Sequence, residues 1–309
     1  MRNERGFALI ITLLITALLV ALSAEFVDEV FVDTSARQNF VDGQQGSLMA
    51  GSGMEAARKL LQQYAQLRDY SSLADLGKIA KLLSIEDERG TLDVAIEEES
   101  GKLNINAIVN PNGKDNDIFH PIAARLFKKL GLRPELLDAV ADWIGTNEVP
   151  RPAGAKSPYY QALKPPYVAK SGYLETFDEL RLVKGIDAKT LDLLRPYITV
   201  YPVNPGGDHT ININTAAKEL IASLDEKMTD DLAERIIDYR KTTPFKVGAD
   251  LGKVPGMESI YRDLLITRVK SQEKGDVYRI VSRATVNETA RVIEAVVPVG
   301  GQPSYWREY

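Results

Sequence analysis

Met1-Arg2-Asn3-Glu4-Arg5-Gly6 gives way at Phe7 to Phe7-Ala8-Leu9-Ile10-Ile11-Thr12-Leu13-Leu14, the start of an apolar run that reaches Leu22 without a charge. The position of the small-residue boundary decides how this stretch is read. A secretory signal peptide carries small residues of the Ala-x-Ala kind after its apolar core, whereas Gly6-Phe7 comes before it. The apolar segment is therefore expected to stay on the mature protein, with 1–6 as a removable head. From Phe7 to Ala24 there are 18 residues, at the short end of the ~17 to 25 that cross ~30 Å of hydrocarbon as a helix. Thr12, Thr16 and Ser23 interrupt it mildly, because a hydroxyl can bond to the carbonyl one turn back. Arg2 and Arg5 precede the segment while Glu25, Asp28, Glu29 and Asp33 follow it, which orients a single crossing with the head in the cytoplasm and the rest exported.

Helical spacing continues beyond the crossing, over 25–65, with apolar residues at Phe26, Val30, Phe31, Met54, Ala57 and Leu61 among others. Unbroken from Phe7 to about Tyr64, this is one rod of about 58 residues and ~87 Å, a shape suited to stacking. Gly43, Gly46, Gly51 and Gly53 each cost ~1 kcal/mol relative to Ala in a helix. Two readings are open for them: a bend between Asp42 and Gly53, or small residues that let a sheet lie close against the rod.

The 309 residues leave room for one or two globular units beyond the anchor. A hydrophobic content of 44% and a charged content of 26% fit a folded chain. The formal net charge of -5 does not favour a nucleic acid as general partner. There is no Cys, so an exported domain must be held by packing, a metal or partner subunits. His120 and His209 sit in unrelated contexts and read as ordinary surface or loop residues. No paired His and acid, nucleophile elbow, phosphate-binding Gly loop or zinc spacing is present, so no enzyme is expected.

Strand signals fall at Thr91 to Ile96, Val277 to Val286 and Arg291 to Val299, the last two joined by Asn287-Glu288-Thr289-Ala290 as a hairpin. These would form a small antiparallel sheet, with 66–106 and 276–309 as its two contributions. Between them, over 107–275, the periods turn helical. That region echoes itself: Leu180-Arg181-Leu182-Val183-Lys184-Gly185-Ile186 matches Leu251-Gly252-Lys253-Val254-Pro255-Gly256-Met257 at an offset of 71 residues. A second echo links Leu103-Asn104-Ile105-Asn106-Ala107 to Ile211-Asn212-Ile213-Asn214-Thr215-Ala216, each a short alternating segment ending in a helix-capping residue. The expected fold is α+β: a long N-terminal transmembrane helix plus a small antiparallel sheet, with a large inserted helical domain containing helix-hairpin-helix-like repeats.

The head and apolar run resemble the class III leader of type IV pilins and type II secretion pseudopilins. The resemblance implies cleavage by a prepilin peptidase after Gly6 and methylation of the new terminus at Phe7. The fifth mature residue is then Ile11, where most pilins carry a Glu that pairs with a neighbour's terminal amine. That missing Glu and the chain's length resemble the K-type minor pseudopilins. Further along, Ala141-Asp142-Trp143-Ile144-Gly145 runs into a Pro- and Gly-rich loop ending near Tyr159-Tyr160, followed by Leu163-Lys164-Pro165-Pro166-Tyr167, in the order of that family. With Glu98-Glu99-Ser100-Gly101-Lys102, the likeness spans nearly the whole chain. It implies an inner-membrane protein with a periplasmic head, I-type and J-type minor pseudopilins as partners, and a place at the tip of the filament that primes assembly for protein export. Asp28 and Glu29 are candidates for registering that contact, with a plain solvated face as the alternative.

The same resemblance implies calcium in the inserted domain, a cation that takes hard oxygen ligands. Asp142, Asn147 and Glu148 would supply some of them. Gly145 and Thr146 dilute the loop's acids and Lys156 adds a positive charge, and the alternative for these side chains is capping and turn formation. Asp115, Asn116 and Asp117 read as a solvated loop. A rival comes from the stretch between Ile211 and Met257, which resembles the helix-hairpin-helix module of competence-type DNA receptors and would make the chain a pilin-like DNA-uptake protein. Asp225-Glu226-Lys227-Met228-Thr229-Asp230 replaces that module's first Gly hairpin, and its carboxylates would repel a phosphate. From His209 to Lys270 ten basic residues face ten acidic ones, which provides no electrostatic funnel for a nucleic acid.

Overall fold

The computed structural model describes residues 4–67, 73–88, 90–203, 209–267, 269–270 and 277–309. Of the head expected over 1–6, residues 1–3 lie outside the described residues, as does the expected return from insert to sheet at 275–276. Glu4 already belongs to helix α1, which runs unbroken over Glu4–Leu67 for 64 residues. Thr12, Thr16 and Ser23 send their hydroxyls back to the carbonyls of Leu9, Thr12 and Leu19, so none leaves a bare polar group on the apolar surface.

The two halves of α1 differ in what they meet. From Phe7 to Val41 nearly every side chain is exposed, apolar ones included. From Asp42 onward Asp42, Gly43, Gly46, Ala50, Gly53 and Met54 are buried, a stripe at the three-to-four residue spacing of one helical face. The helix is not interrupted at its glycines. A Cβ at Gly46 would crowd the Arg291 side chain, and one at Gly53 would collide with Ser282 Oγ and press on Leu92. Gly43, Gly46 and Gly53 are therefore spacers that bring backbone and sheet close together.

Helix α2 (Leu73–Leu83) and edge strand β1 (Ile85–Asp87) lead into β2 (Gly90–Glu98). After the insert come β7 (Val277–Val286), β8 (Thr289–Pro298) and β9 (Tyr305–Glu308), giving an antiparallel sheet in the order β1-β2-β7-β8-β9. Its pairings include Leu92 with Ala284 and Ile280 with Ala295. One face, carrying Leu92, Ile280 and Ile293, packs on Ala50, Met54 and Leu61 of the rod. Val277 and Val296, on the other face, join the core of the insert.

Strand β8 starts at Thr289, two residues before the sequence signals suggest, because the turn contracts to Asn287-Glu288. Asn287 supplies the positive φ, +52°, that a tight turn needs. Its amide also donates to Asp42 at 2.8 Å and ties the hairpin to the rod. Helix α2 and strands β1 and β9 are additional to the elements expected from the sequence. β1 is three exposed residues, without a buried face to impose alternation.

The insert comprises two lobes of like design. The first runs from β3 (Leu103–Asn104) through α3 (Phe119–Lys129), α4 (Glu135–Ile144), α5 (Ser157–Gln161) and α6 (Ala188–Leu194) to β4 (Ile198–Thr199). The second runs from β5 (Ile211–Asn212) through α7 (Lys218–Ile221), α8 (Asp230–Thr242) and α9 (Tyr261–Thr267) to β6 (Val269–Lys270). Each opening strand pairs in parallel with its closing strand, Leu103 with Ile198 and Ile211 with Val269.

Inside each lobe a buried Asn clamps a distant backbone. Asn106 Oδ1 accepts from Leu174 N at 2.8 Å and its Nδ2 donates to the carbonyls of Leu174 and Val200. Asn214 does the same to Phe245, accepting from N at 2.9 Å and donating to O at 2.8 Å. The echoed glycine hairpins are equivalent too: the element before each Gly is a short 3-10 helix, Phe177–Leu182 or Gly248–Lys253. Gly185 and Gly256 then turn the chain with φ of +81° and +92°, conformations that favour glycine.

Candidate functional site

Two regions can do something beyond holding the fold: the bare half of α1 and the loop after α4. On α1 the segment is long and apolar enough to cross a membrane. Gly6 and Phe7 lie in its first turns, and Ile11 faces outward one turn later. Asp28 and Glu29 are exposed. They lie among Phe26, Val27, Val30 and Phe31, all exposed as well. So large an apolar surface with nothing on it marks a contact with lipid or protein.

The loop after α4 is built on Asp142. This carboxylate is completely buried, in the last turn of α4, where helical spacing turns it inward beside Trp143. Arg151 folds back over nine residues to meet it. Its backbone N–H donates to Asp142 Oδ2 at 2.9 Å and its Nη1 to Oδ1 at 2.7 Å. The other arm of the guanidinium pairs with Asp115. These two carboxylates hold the Arg151 guanidinium above its ordinary range, overcoming the opposing effect of burial. Lys156 is buried as well, its Nζ donating to the carbonyl of Asp142 at 2.5 Å and to that of Gly145 at 2.6 Å. Burial, together with the nearby Arg151 charge, pushes its ammonium below the usual lysine range against the pull of Asp142.

Asn147 and Glu148 do not join Asp142. The Asn147 amide donates to Gly113 O at 2.8 Å, and Glu148 is exposed. Among the described residues no group of three or more acidic, His or Cys side chains converges to hold a metal ion. A cation such as calcium would take six to eight oxygens, whereas here Asp142's oxygens and two of the loop's carbonyls are already given to Arg151 and Lys156. A Cβ on Gly154 would collide with Asp142 Oδ2, so the loop backbone closes that side as well. The three residues singled out for calcium do not fit it in this arrangement.

Other sequence candidates take different places. Asp115 pairs with Arg151, and Asn116 Oδ1 accepts from the N–H groups of Ile118 and Phe119 at the start of α3, so this loop is not merely solvated. His120 lies within α3, half-buried, 3.8 Å from Asp115. His209 packs edge-on against Phe119. Arg151 and Lys156, the residues that organise the loop, carried no signal as its holders, since their targets lie back along an irregular segment with no period to reveal them.

The glycine hairpins do not offer a phosphate cradle. The Gly256 N–H donates to Glu258 Oε1 at 3.2 Å, and backbone N–H groups at Glu258 and Gly256 hold that carboxylate below its usual range. Lys184 N–H, in the other hairpin, donates to the Tyr160 hydroxyl. In both cases a side chain of the protein takes backbone N–H groups that a phosphate would need.

Comparison with known proteins agrees with this architecture. Two family models, both described as type II secretion system (T2SS), protein K, match residues 101–203 and 211–266, together just over half of the chain. The type II secretion system protein K of Aeromonas hydrophila is 25% identical over 288 residues, covering 84% of this chain and 85% of its own. That of Pseudomonas aeruginosa is 27% identical, with 82% and 77% covered. Among solved structures, a chain of the GspK-GspI-GspJ complex from the type 2 secretion system of enterotoxigenic Escherichia coli shares the fold with a TM-score of 0.67. It is 18% identical, and the match covers 89% of this chain and 97% of that one.

Proposed function

The chain belongs to the family of type II secretion system protein K, and on that premise we propose that it is a minor pseudopilin that closes the tip of the pseudopilus with I-type and J-type partners. In this reading it crosses the inner membrane once, with its head in the periplasm. A prepilin peptidase removes 1–6, and Phe7 becomes the methylated amino terminus. The observation that carries the proposal is the contrast along α1. Its first half exposes apolar side chains on all sides, while its second half is covered by the protein's own sheet.

Such a rod is at home in lipid before assembly and among other rods after it, since both remove apolar area from water. The two-lobed insert sits on the far face of the sheet and makes the head bulky, which leaves no room for a subunit stacked above. Ile11 agrees with a terminal position: a subunit with none beyond it has no amine to neutralise. The role is structural and not catalytic. The DNA-uptake reading finds no support in the glycine hairpins, whose N–H groups are engaged by the protein's own side chains.

Co-expression of the full chain with I-type and J-type minor pseudopilins, followed by size exclusion in detergent, tests the reading. A ternary complex is expected, and Phe31→Asp with Val41→Asp should abolish it while leaving the head's melting unchanged, because both side chains are exposed on the bare half of the rod. Elution of this chain alone, under conditions where the two partners bind one another, would contradict it.

A further inference from the structure

We propose that the loop from Gly145 to Lys156 is held by two cations built into the chain, the Arg151 guanidinium on the Asp142 carboxylate and the Lys156 ammonium on two main-chain carbonyls, so that the head folds independently of calcium. The inference goes beyond the filament role and does not need it.

The carboxylate oxygens of Asp142 and the main-chain oxygens beside it already have donors. Oδ1 and Oδ2 of Asp142 accept from Arg151, and the carbonyls of Asp142 and Gly145 accept from Lys156. Gly113 O accepts from Asn147. Asp142 is fully buried and Lys156 nearly so, so these bonds are made where water cannot substitute for them and a missing partner would be costly.

The charges also close. Asp142 and Asp115 face Arg151 and Lys156, while Asp138 accepts from Ala153 N and Lys184 donates to the carbonyls of Ala153 and Gly154, three negative against three positive. A divalent ion added to this set would meet two cations at close range and would have to displace one of them. Lys156 has three donors and no acceptor, which suits a position between carbonyls that close the end of α4. The loop thus carries its own counterions.

Trp143 reports on this place. It adjoins Asp142, packs edge-on against Tyr160 at 5.0 Å between ring centroids, and is one of only two Trp residues. The full chain in detergent with Trp306→Phe leaves Trp143 as the sole indole. Its emission maximum and melting midpoint are expected to coincide in excess calcium and in excess EDTA. Lys156→Met should lower that midpoint by roughly 4 to 8 °C, equally in both buffers, as the loss of charged hydrogen bonds to two carbonyls implies. A calcium-dependent rise in the wild-type midpoint or a calcium-induced shift of Trp143 emission would overturn the proposal. So would a Lys156→Met chain that melts with the wild type.

Discussion

Acidic side chains at the insert's turns and helix starts are tuned by what they bond. Asp187 accepts from Thr190, Asp230 pairs with Lys129, Asp250 pairs with Lys253, and Glu258 takes backbone N–H groups. All four are held below their ordinary range. A carboxylate whose folded-state pKa is depressed contributes stability above its unfolded value and loses it as pH falls through the folded one, because the unfolded chain then binds more protons. The melting midpoint of the head should therefore stay level from neutrality to about pH 5 and decline below about pH 4. A thermal melt series in pH checks this, and a decline that begins between pH 7 and 6 would point to the histidines instead. Single residues were unevenly legible in the sequence. Asn104-Ile105-Asn106 and Ile211-Asn212-Ile213-Asn214 stood out as an echo with capping residues. Their deeper role was hidden, because Asn106 and Asn214 clamp backbone 68 and 31 residues away. Asp142 is legible as a candidate cation ligand, but nothing local announces that Arg151 and Lys156 fold back onto it.

The contact between rod and sheet is set by where small residues fall. A Cβ at Gly51 would touch only Ile293 Cδ1, at 3.9 Å, whereas one at Gly53 would collide with Ser282 Oγ. Gly51→Ala should thus be neutral or stabilising by up to about 1 kcal/mol through helix propensity. Gly53→Val should destabilise by about 1 to 3 kcal/mol through overpacking. Thermal melts of the two full chains rank them, and equal effects would mean that the rod does not dock as described. The four glycines posed this choice in the sequence without resolving it, because a helical Gly looks the same whether it permits a bend or a neighbour. Long apolar periods and the 10-residue strands of the hairpin were legible. Short edges such as β1 and β9 were not, as they bury too little to impose alternation.

Taken as one molecule, the chain is a rod with one half bare and the other half built into a head. The sheet divides the head into two cores: rod on one face, two-lobed insert on the other. Between them Asn212 of the insert donates its Nδ2 to Glu98 Oε1 of β2 at 2.7 Å, and beside it Arg279 pairs with Glu294 at 2.7 Å and Lys102 with Glu99 at 2.7 Å. Such a body can be drawn lengthwise from a membrane into a bundle of like rods without disturbing either core, because the bare half takes no part in them. In the proposed reading the charged head before Phe7 is removed first, because burying Arg2, Glu4 and Arg5 unpaired in an apolar bundle would be costly. Mass spectrometry of the amino terminus of the membrane-extracted protein tests this most directly. An N-methylated Phe7 as first residue is predicted, and an intact Met1 on the assembled protein would contradict it.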